Sequence, residues 1–257
     1  MSGHRPTPSG ATAEAAWVFA PAPRPGVPVE GRAERFPVHR IYCVGQNYAE
    51  HVREMGSSGR EPPVFFDKPA DAVTTAREIP YPPRTKNLHH EVELVVALGS
   101  GGRDLEPEQA RESVFGYAVG VDLTRRDLQA AAKKRGGPWT TAKGFDSSAP
   151  VSAIRPVAIA GHPDHAAIRL AVNGVMRQQG DTADMTWSVP ELLAELSRYV
   201  ELKAGDLVFT GTPAGVGPLE RGDLVGCAIE GVGTVSFLSL IHISEPTRQL
   251  TQSRMPA

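Results

Sequence analysis

The chain has 257 residues, of which 40% are hydrophobic and 22% charged, with a formal net charge of −2. That is enough for one large domain or two small ones around a substantial core. The interspersed, nearly balanced charge leaves no electrostatic footprint for nucleic acid or an anionic membrane. No apolar run reaches the length of a bilayer span, and residues 1–25 contain no continuous apolar segment of the kind a secretory signal needs. A cytoplasmic protein with no nucleic-acid or membrane partner is expected. Cys43 and Cys227 lie in apolar, strand-like segments and are expected to be buried thiols in a reducing compartment.

Residues 1–35 are rich in Pro, Ala and Gly without periodicity and read as an extended arm. Val38–Val44 is β-branched and aromatic enough for a strand, and Tyr48–Met55 suits a short helix stopped by Gly56. PVFFDKP is a short strand ended by Pro69, and PYPPRTKNL is a Pro-rich connection. HHEVELVVALG follows as a strand, SGGRDLEPEQARESV as a turn and short helix, and VFGYAVGVDLT as a second strand. Leu123–Gly136 reads as a helix with Thr124 as N-cap and Gly136 or Gly137 past its end. PWTTAKGFDSSAPVS is a polar loop. AIRLAV and VMRQQG flank an Asn-Gly hairpin turn. WSVPELLAELSRYVEL carries the capping-box pair Ser188 and Glu191 before a 3.6-residue apolar period. GDLVFTGTPAGVG is a strand entering a Gly-rich loop, and DLVGCAIEGVGTVSFLS supplies the last strands. Many short strands with few helices indicate a β-rich α+β fold.

Glu91 and Glu93 raise the first functional question. In a helix, residues two apart point about 200° from one another. In a strand they share a face, with His89 beside them, while Val92, Leu94, Val96 and Leu98 occupy the other. Like charges on one pocket face repel and cost free energy if buried uncompensated. They are therefore solvated, paired with Arg or Lys, or bound to a hard cation. Asp122 also ends an apolar strand. Three acids at the ends of two buried strands would give the all-oxygen shell that Mg²⁺, Mn²⁺ or Ca²⁺ prefers. His89 and His90 lack the spaced partners of a zinc site and read as supporting residues.

The segments VGQNYAEHVREMG, PPVFFDKP, HHEVELVVALG, GYAVGVDLTRRDLQ, PWTTAKGFD, VNGVMRQQGDTADM and GDLVFTGTPAGVG occur in this order between about Phe36 and Phe237. Together they resemble the fumarylacetoacetate hydrolase family, in its fumarylpyruvate hydrolase and acylpyruvase branch. The resemblance implies a mixed β-sheet, β-roll fold spanning residues 36–237 and a homodimer. It implies that Glu91, Glu93 and Asp122 ligate one Mg²⁺ or Mn²⁺. It also implies that His51 and Glu54 activate water and that Lys143 contacts the substrate and its developing oxyanion. The HxxE spacing places His51 and Glu54 on one helical face, where Glu54 can orient His51. Arg126 is a candidate for the substrate carboxylate, as is Thr212 in the GTPAG loop, and Gln46 is expected to contact the substrate. GTPAG lacks the Gly-Lys-Ser/Thr ending of a phosphate-binding loop. The implied reaction is hydrolysis of a C–C bond in fumarylpyruvate or a related acylpyruvate, in aromatic catabolism. The alternatives on the same fold are an oxaloacetate decarboxylase or a hydroxymuconate-type isomerase/decarboxylase.

Two positions depart from the family's pattern: Gln46 stands where Arg is usual, and Asp67 where a larger apolar residue is usual. Asp67 is expected to pair with the adjacent Lys68. The string LSLIHISEPTR resembles a translated sequencing adapter, so residues 238–257 are expected to be non-native.

Overall fold

The computed structural model describes residues 17–48 and 61–240. The site is carried by a six-stranded mixed sheet. Its order is Arg155–Pro156, Val114–Val121, Val92–Leu98, Leu207–Phe209, Ile41–Gly45 and Val64–Lys68. All neighbours are antiparallel except Leu207–Phe209 with Ile41–Gly45. Val92–Leu98 lies inside this sheet and every one of its residues is buried. Alternation along that strand separates two cores. Val92, Leu94, Val96 and Leu98 join one cluster, and Val95 and Ala97 join the other. Both faces of the strand are therefore covered, which makes a solvated face for the acids at its entry untenable.

A five-stranded sheet packs beside it in the order Val175–Asp181, Ala167–Val172, Leu224–Ile229, Gly233–Leu240 and Glu78–Pro80. Its first hairpin turns at Asn173 and Gly174, both with positive φ (51° and 78°), as an Asn-Gly two-residue turn requires. A small three-stranded sheet joins Thr124–Arg125, Leu88–His90 and Gly217–Leu219. The fold is α+β and strand-rich, with short helices, as the sequence pattern led us to expect. The longest of those helices among the described residues is Val189–Tyr199. There Glu191 accepts hydrogen bonds from both the N–H and the Oγ of Ser188. Both cysteines are free and buried.

Several expectations change. Gly26–Pro28 and Arg35–Pro37 pair as a small antiparallel ladder with Val27 fully buried and Phe36 nearly so, so part of the supposed arm belongs to the core. The prolines sit at strand ends, where a missing N–H costs no ladder bond. Arg126–Arg135 forms the helix that ends at Gly136 (φ 64°), but its N-cap is Arg125, and Thr124 is drawn into the adjacent short strand. A single helical turn, Thr140–Lys143, interrupts the polar loop. Asp67 and Lys68 do not pair. Successive side chains of a strand face opposite ways, so Asp67 is exposed while Lys68 is buried against Asp122. Leu238–Leu240 continue the last strand beside Glu78–Pro80, a pairing made by backbone groups and largely indifferent to side-chain identity.

At the centre of the sheet, one glycine sits where no side chain fits. Gly120 lies opposite Glu93, and a Cβ there would come within 2.5 Å of Val95 Cγ2 and 2.7 Å of Phe209 Cε1. Gly120→Ala is expected to destabilise the fold by about 1–3 kcal/mol through overpacking, read as a lowered melting temperature. An unchanged melting temperature would show that the sheet relaxes around the methyl group.

Candidate active site

The strand Leu88–His90 belongs to the three-stranded sheet and Val92–Leu98 to the six-stranded one. Glu91 is the hinge residue between them, and its carbonyl accepts the N–H of Asp122. Asp122 follows the antiparallel neighbour Val114–Val121 directly. The two strand ends therefore bring Glu91, Glu93 and Asp122 together: one ligand oxygen from each lies within 4.8 Å of the other two. All three residues are buried, with Asp122 fully enclosed.

Among the described residues, three cations face these acids. Lys143, on the single turn Thr140–Lys143, spends its three ammonium protons on Glu91 Oε2 (2.8 Å), Asp122 Oδ2 (2.5 Å) and Thr124 Oγ1 (2.7 Å). Any donation to a substrate oxygen must displace one of them, and neutral Thr124 is the weakest partner. Lys68 donates to the carbonyls of Leu123 (3.2 Å) and Lys143 (2.5 Å). Its Nζ also lies 2.8 Å from Asp122 Oδ1, but without hydrogen-bond alignment, so this buried oxygen lacks a hydrogen-bond donor. Arg126 forms an ion pair with Glu91. Its Nη1 donates to Gln129 Oε1 (2.5 Å) and its Nε to His89 Nδ1 (3.3 Å). Since Arg can only donate, His89 carries its proton on Nε2, which is 2.9 Å from Asn87 Oδ1. Burial, with Arg126 adding to it, pushes His89 down to about 4, so the ring is neutral at physiological pH.

The acids do not titrate alike. Burial works against the charge on Glu91, but Lys143 and Arg126 outweigh it and hold the carboxyl at about 2. Among the described residues, the N–H of Gly211 (2.7 Å) is the one direct hydrogen-bond donor to Glu93. Burial first, then the charges of Asp122 and Glu91, push Glu93 well above the carboxylate range. The set is hard and all oxygen, with one acid whose ionisation burial and its neighbours disfavour and one oxygen without a donor among the described residues. It fits a divalent cation of the Mg²⁺ or Mn²⁺ type.

Proton release follows from this arrangement. Between the ordinary carboxylate range and its raised value, Glu93 is protonated in the cation-free protein, and cation binding must expel that proton. By the same sign, the stability that protonated Glu93 confers is lost as pH rises through the raised value, unless a cation is present. Calorimetry of Mn²⁺ binding in buffers of different ionisation enthalpy should show proton release that diminishes as pH rises through the raised value of Glu93. No buffer dependence would contradict it.

Other residues position the site. Gln178, fully buried, accepts from His90 Nδ1 (2.9 Å) and from the N–H of Val92 (3.1 Å). It donates to Thr212 Oγ1 (2.8 Å) and to the carbonyl of Pro213 (2.9 Å). Thr212 in turn donates to the carbonyl of Val92 (2.7 Å). Its hydroxyl is thus occupied in fixing the GTPAG loop to the strand that bears Glu93. Gly211 (φ 97°) leaves no space for a Cβ, which would lie 2.8 Å from Asn47 Cβ. Asn47 bonds the carbonyls of Trp187 and Thr210 and accepts the N–H of Trp187. Gln46 is exposed in a left-handed turn (φ 62°) just after Ile41–Gly45. The expected water-activating pair, His51 and Glu54, lies outside the described residues. Tyr48, three residues before His51, is buried and within electrostatic range of Glu93.

Sequence reading missed Lys68, Gln178 and Gln129. Lys68 left the signal of a lysine inside an apolar strand. Gln178 left none, because its role depends on contacts across two sheets.

Residues 40–237 match the C-terminal domain of fumarylacetoacetate (FAA) hydrolase. This chain belongs to the fumarylacetoacetate hydrolase family. The solved structure of fumarylpyruvate hydrolase from Pseudomonas aeruginosa in complex with Mn²⁺ and pyruvate has a TM-score of 0.85 and 50% identity, covering 88% of this chain and 100% of that one. Oxaloacetate tautomerase YcgM of Escherichia coli (strain K12) is 45% identical over 204 residues, 79% of this chain and 93% of that protein. The solved structure of 5-carboxymethyl-2-hydroxymuconate delta-isomerase from Mycobacterium smegmatis has a TM-score of 0.72 at 33% identity, with 81% of this chain and 82% of that one covered. The chain is thus a member of an enzyme family whose relatives differ in reaction. Among the described residues, no helix is long and apolar enough to cross a membrane.

Proposed function

We propose that this fumarylacetoacetate hydrolase family member hydrolyses a C–C bond in fumarylpyruvate or a related acylpyruvate, giving pyruvate and a carboxylic acid. One observation carries the reading: a buried, oxygen-only acid triad in a chain 50% identical to a fumarylpyruvate hydrolase solved with Mn²⁺ and pyruvate. Glu91, Glu93 and Asp122 would hold one Mg²⁺ or Mn²⁺, which when bound supplies Lewis acidity at the keto-acid oxygens.

The chain's own residues account for the proton and charge movements. Arg126, whose side chain is one-quarter exposed, binds the substrate carboxylate. His51, oriented by Glu54, takes a proton from a water whose oxygen bonds to the distal carbonyl carbon. The C–C bond beside that carbon breaks, and its electron pair remains on the pyruvyl fragment as an enolate. Lys143 donates to the enolate oxygen, and protonated His51 returns the proton to carbon. Thr212 acts through the loop it anchors, and Gln46 contacts the substrate from the surface. With the three acids ionised, Lys68, Lys143 and Arg126 balance them. A divalent cation then leaves a local charge of about +2, which favours a dianionic keto acid. The working unit is a homodimer in the cytoplasm, serving aromatic catabolism.

Pyruvate release from fumarylpyruvate and acetylpyruvate, measured with Mg²⁺, Mn²⁺ or a chelator, tests the reading. Cation-dependent release is expected, and no release with either ion would exclude it. A second reading, interconversion of oxaloacetate tautomers, is favoured by the 45% identity to oxaloacetate tautomerase. Two substrates assayed on one preparation separate the readings: hydrolysis expects pyruvate release from fumarylpyruvate to outpace cation-dependent interconversion of oxaloacetate tautomers, and the reverse order favours the second reading.

A further inference from the structure

A cavity of about 310 Å³ runs along the strand Val64–Lys68 and has Phe66, Trp139, Thr140 and Lys143 in its lining. Lys143, which also binds Glu91 and Asp122, joins it to the acid cluster, and the Lys143 ammonium lies 4.9 Å from the centroid of the Phe66 ring. Phe66 and Trp139 meet edge to face at 5.6 Å. On the indole of Trp139, 5.0 Å from its centroid, sits the ammonium of Lys133.

Lys133 is on the helix Arg126–Arg135, seven residues after Arg126. Seven residues are two turns, so both side chains leave the same face, about 10 Å apart along the axis. The last turn of this helix also holds Lys134 and Arg135, which suit the negative end of a helix dipole. Lys133 differs from them in two respects: it is stacked on an aromatic ring, and it feels the site. Burial, the charge of Arg126 and, more weakly, Lys143 lower its basicity, and Glu91 works in the opposite sense. Among the described residues, no carboxylate forms a salt bridge with it. It is thus a cation with no acid partner among the described residues, seated on Trp139, which lines the same small cavity as the catalytic lysine.

We propose that Lys133 binds the distal carboxylate of a long dicarboxylic substrate and so selects fumarylpyruvate-like diacids over acylpyruvates with an uncharged acyl end. This rests on the acylpyruvate reading above. The two carboxylate carbons of fumarylpyruvate are separated by six bonds of about 1.5 Å, which zig-zag over roughly 8 Å. With one end held at Arg126, the other comes within reach of a flexible lysine two turns along. A four-carbon diacid such as oxaloacetate is too short to bridge the two. Among the described residues Asp67 is the one acid in the cavity lining, and it repels a chain end that strays from Lys133.

The test uses the full-length protein with Mn²⁺. Lys133→Met keeps the alkyl stem on Trp139 and removes the charge, while Lys134→Met controls for net charge. For Lys133→Met, kcat/KM for fumarylpyruvate should fall about tenfold, mainly through KM, the size of one charged hydrogen bond. The value for acetylpyruvate should stay within twofold, and Lys134→Met should change neither. Equal effects on both substrates, no effect, or the same effect from Lys134→Met would overturn the proposal. A matched unreactive pair, 2-oxopimelate and 2-oxoheptanoate, gives a readout apart from turnover. By calorimetry, the wild type should prefer the diacid about tenfold and Lys133→Met should lose that preference. If no acylpyruvate is cleaved, the functional reading fails while this pair still decides Lys133: absence of a diacid preference in the wild type, or its survival in Lys133→Met, overturns the assignment.

Discussion

Asp122→Asn should remove divalent cation binding and activity together and should also weaken the fold. The change is nearly isosteric, so packing is preserved and only charge is lost. Asp122 is completely enclosed and faces two buried ammonium groups, Lys68 at 2.8 Å and Lys143 at 2.5 Å. Removing one partner from a buried ionic group leaves the others uncompensated, at a cost of about 3–5 kcal/mol. For a chain of this size that is a fall in melting temperature on the order of 10 °C. Cation affinity should fall by at least about a hundredfold, the upper range seen when even a residue behind a metal ligand is removed. Asp67→Asn is the control: Asp67 is exposed on the opposite side of the strand from Lys68, and its loss should change stability by no more than about 0.5 kcal/mol. Titration calorimetry with Mn²⁺ and thermal melts measure both quantities. An Asp122→Asn variant that binds Mn²⁺ like the wild type would remove Asp122 from the ligand set.

Lys143→Met should separate binding from chemistry. In the cation-free protein the Lys143 ammonium bridges Glu91 and Asp122, two of the three acids a cation would use. Without it, the buried carboxylates repel each other and the cation-free protein should lose stability, again by about 3–5 kcal/mol. A divalent cation then meets less competition. Its affinity should be unchanged or higher, the opposite of Asp122→Asn, and saturating Mn²⁺ should restore the melting temperature. Turnover should nevertheless fall by about 10²–10³, the usual cost of losing a donor to a developing oxyanion. Retention of kcat within a few-fold would exclude Lys143 from charge stabilisation in the reaction.

These two expectations depend on a cluster only partly visible in the sequence. The shared face of Glu91 and Glu93 followed from strand periodicity, and Asp122 was recognisable as an acid at the end of a second apolar strand. Three outcomes remained open for them: water, a basic partner or a cation. Burial on both faces of Val92–Leu98 removed the first. Lys143, Lys68 and Arg126 supply basic partners for Glu91 and Asp122, but among the described residues none forms a salt bridge with Glu93. The cations therefore pair with Glu91 and Asp122 and, among the described residues, leave Glu93 without an ion-pair partner. In FFDKP, strand alternation separates the two charges. Asp67 and Lys68 are adjacent in sequence and on opposite faces of the sheet.

Local patterns determined what local physics controls. The Asn-Gly turn, the Ser188–Glu191 capping box, the left-handed Gly136 after a helix and the two-residue period of HHEVEL each act over a few residues, where one sequence pattern has one favourable backbone answer. Tertiary structure decided which charges meet. Lys68 reaches Asp122 across 54 residues, Gln178 reaches His90 across 88, and Lys133 is set on Trp139 by the end of one helix and the start of the next turn. Such pairings depend on register and sheet order, and the free energy that fixes them comes from burying both faces of the central strand rather than from the charged residues themselves.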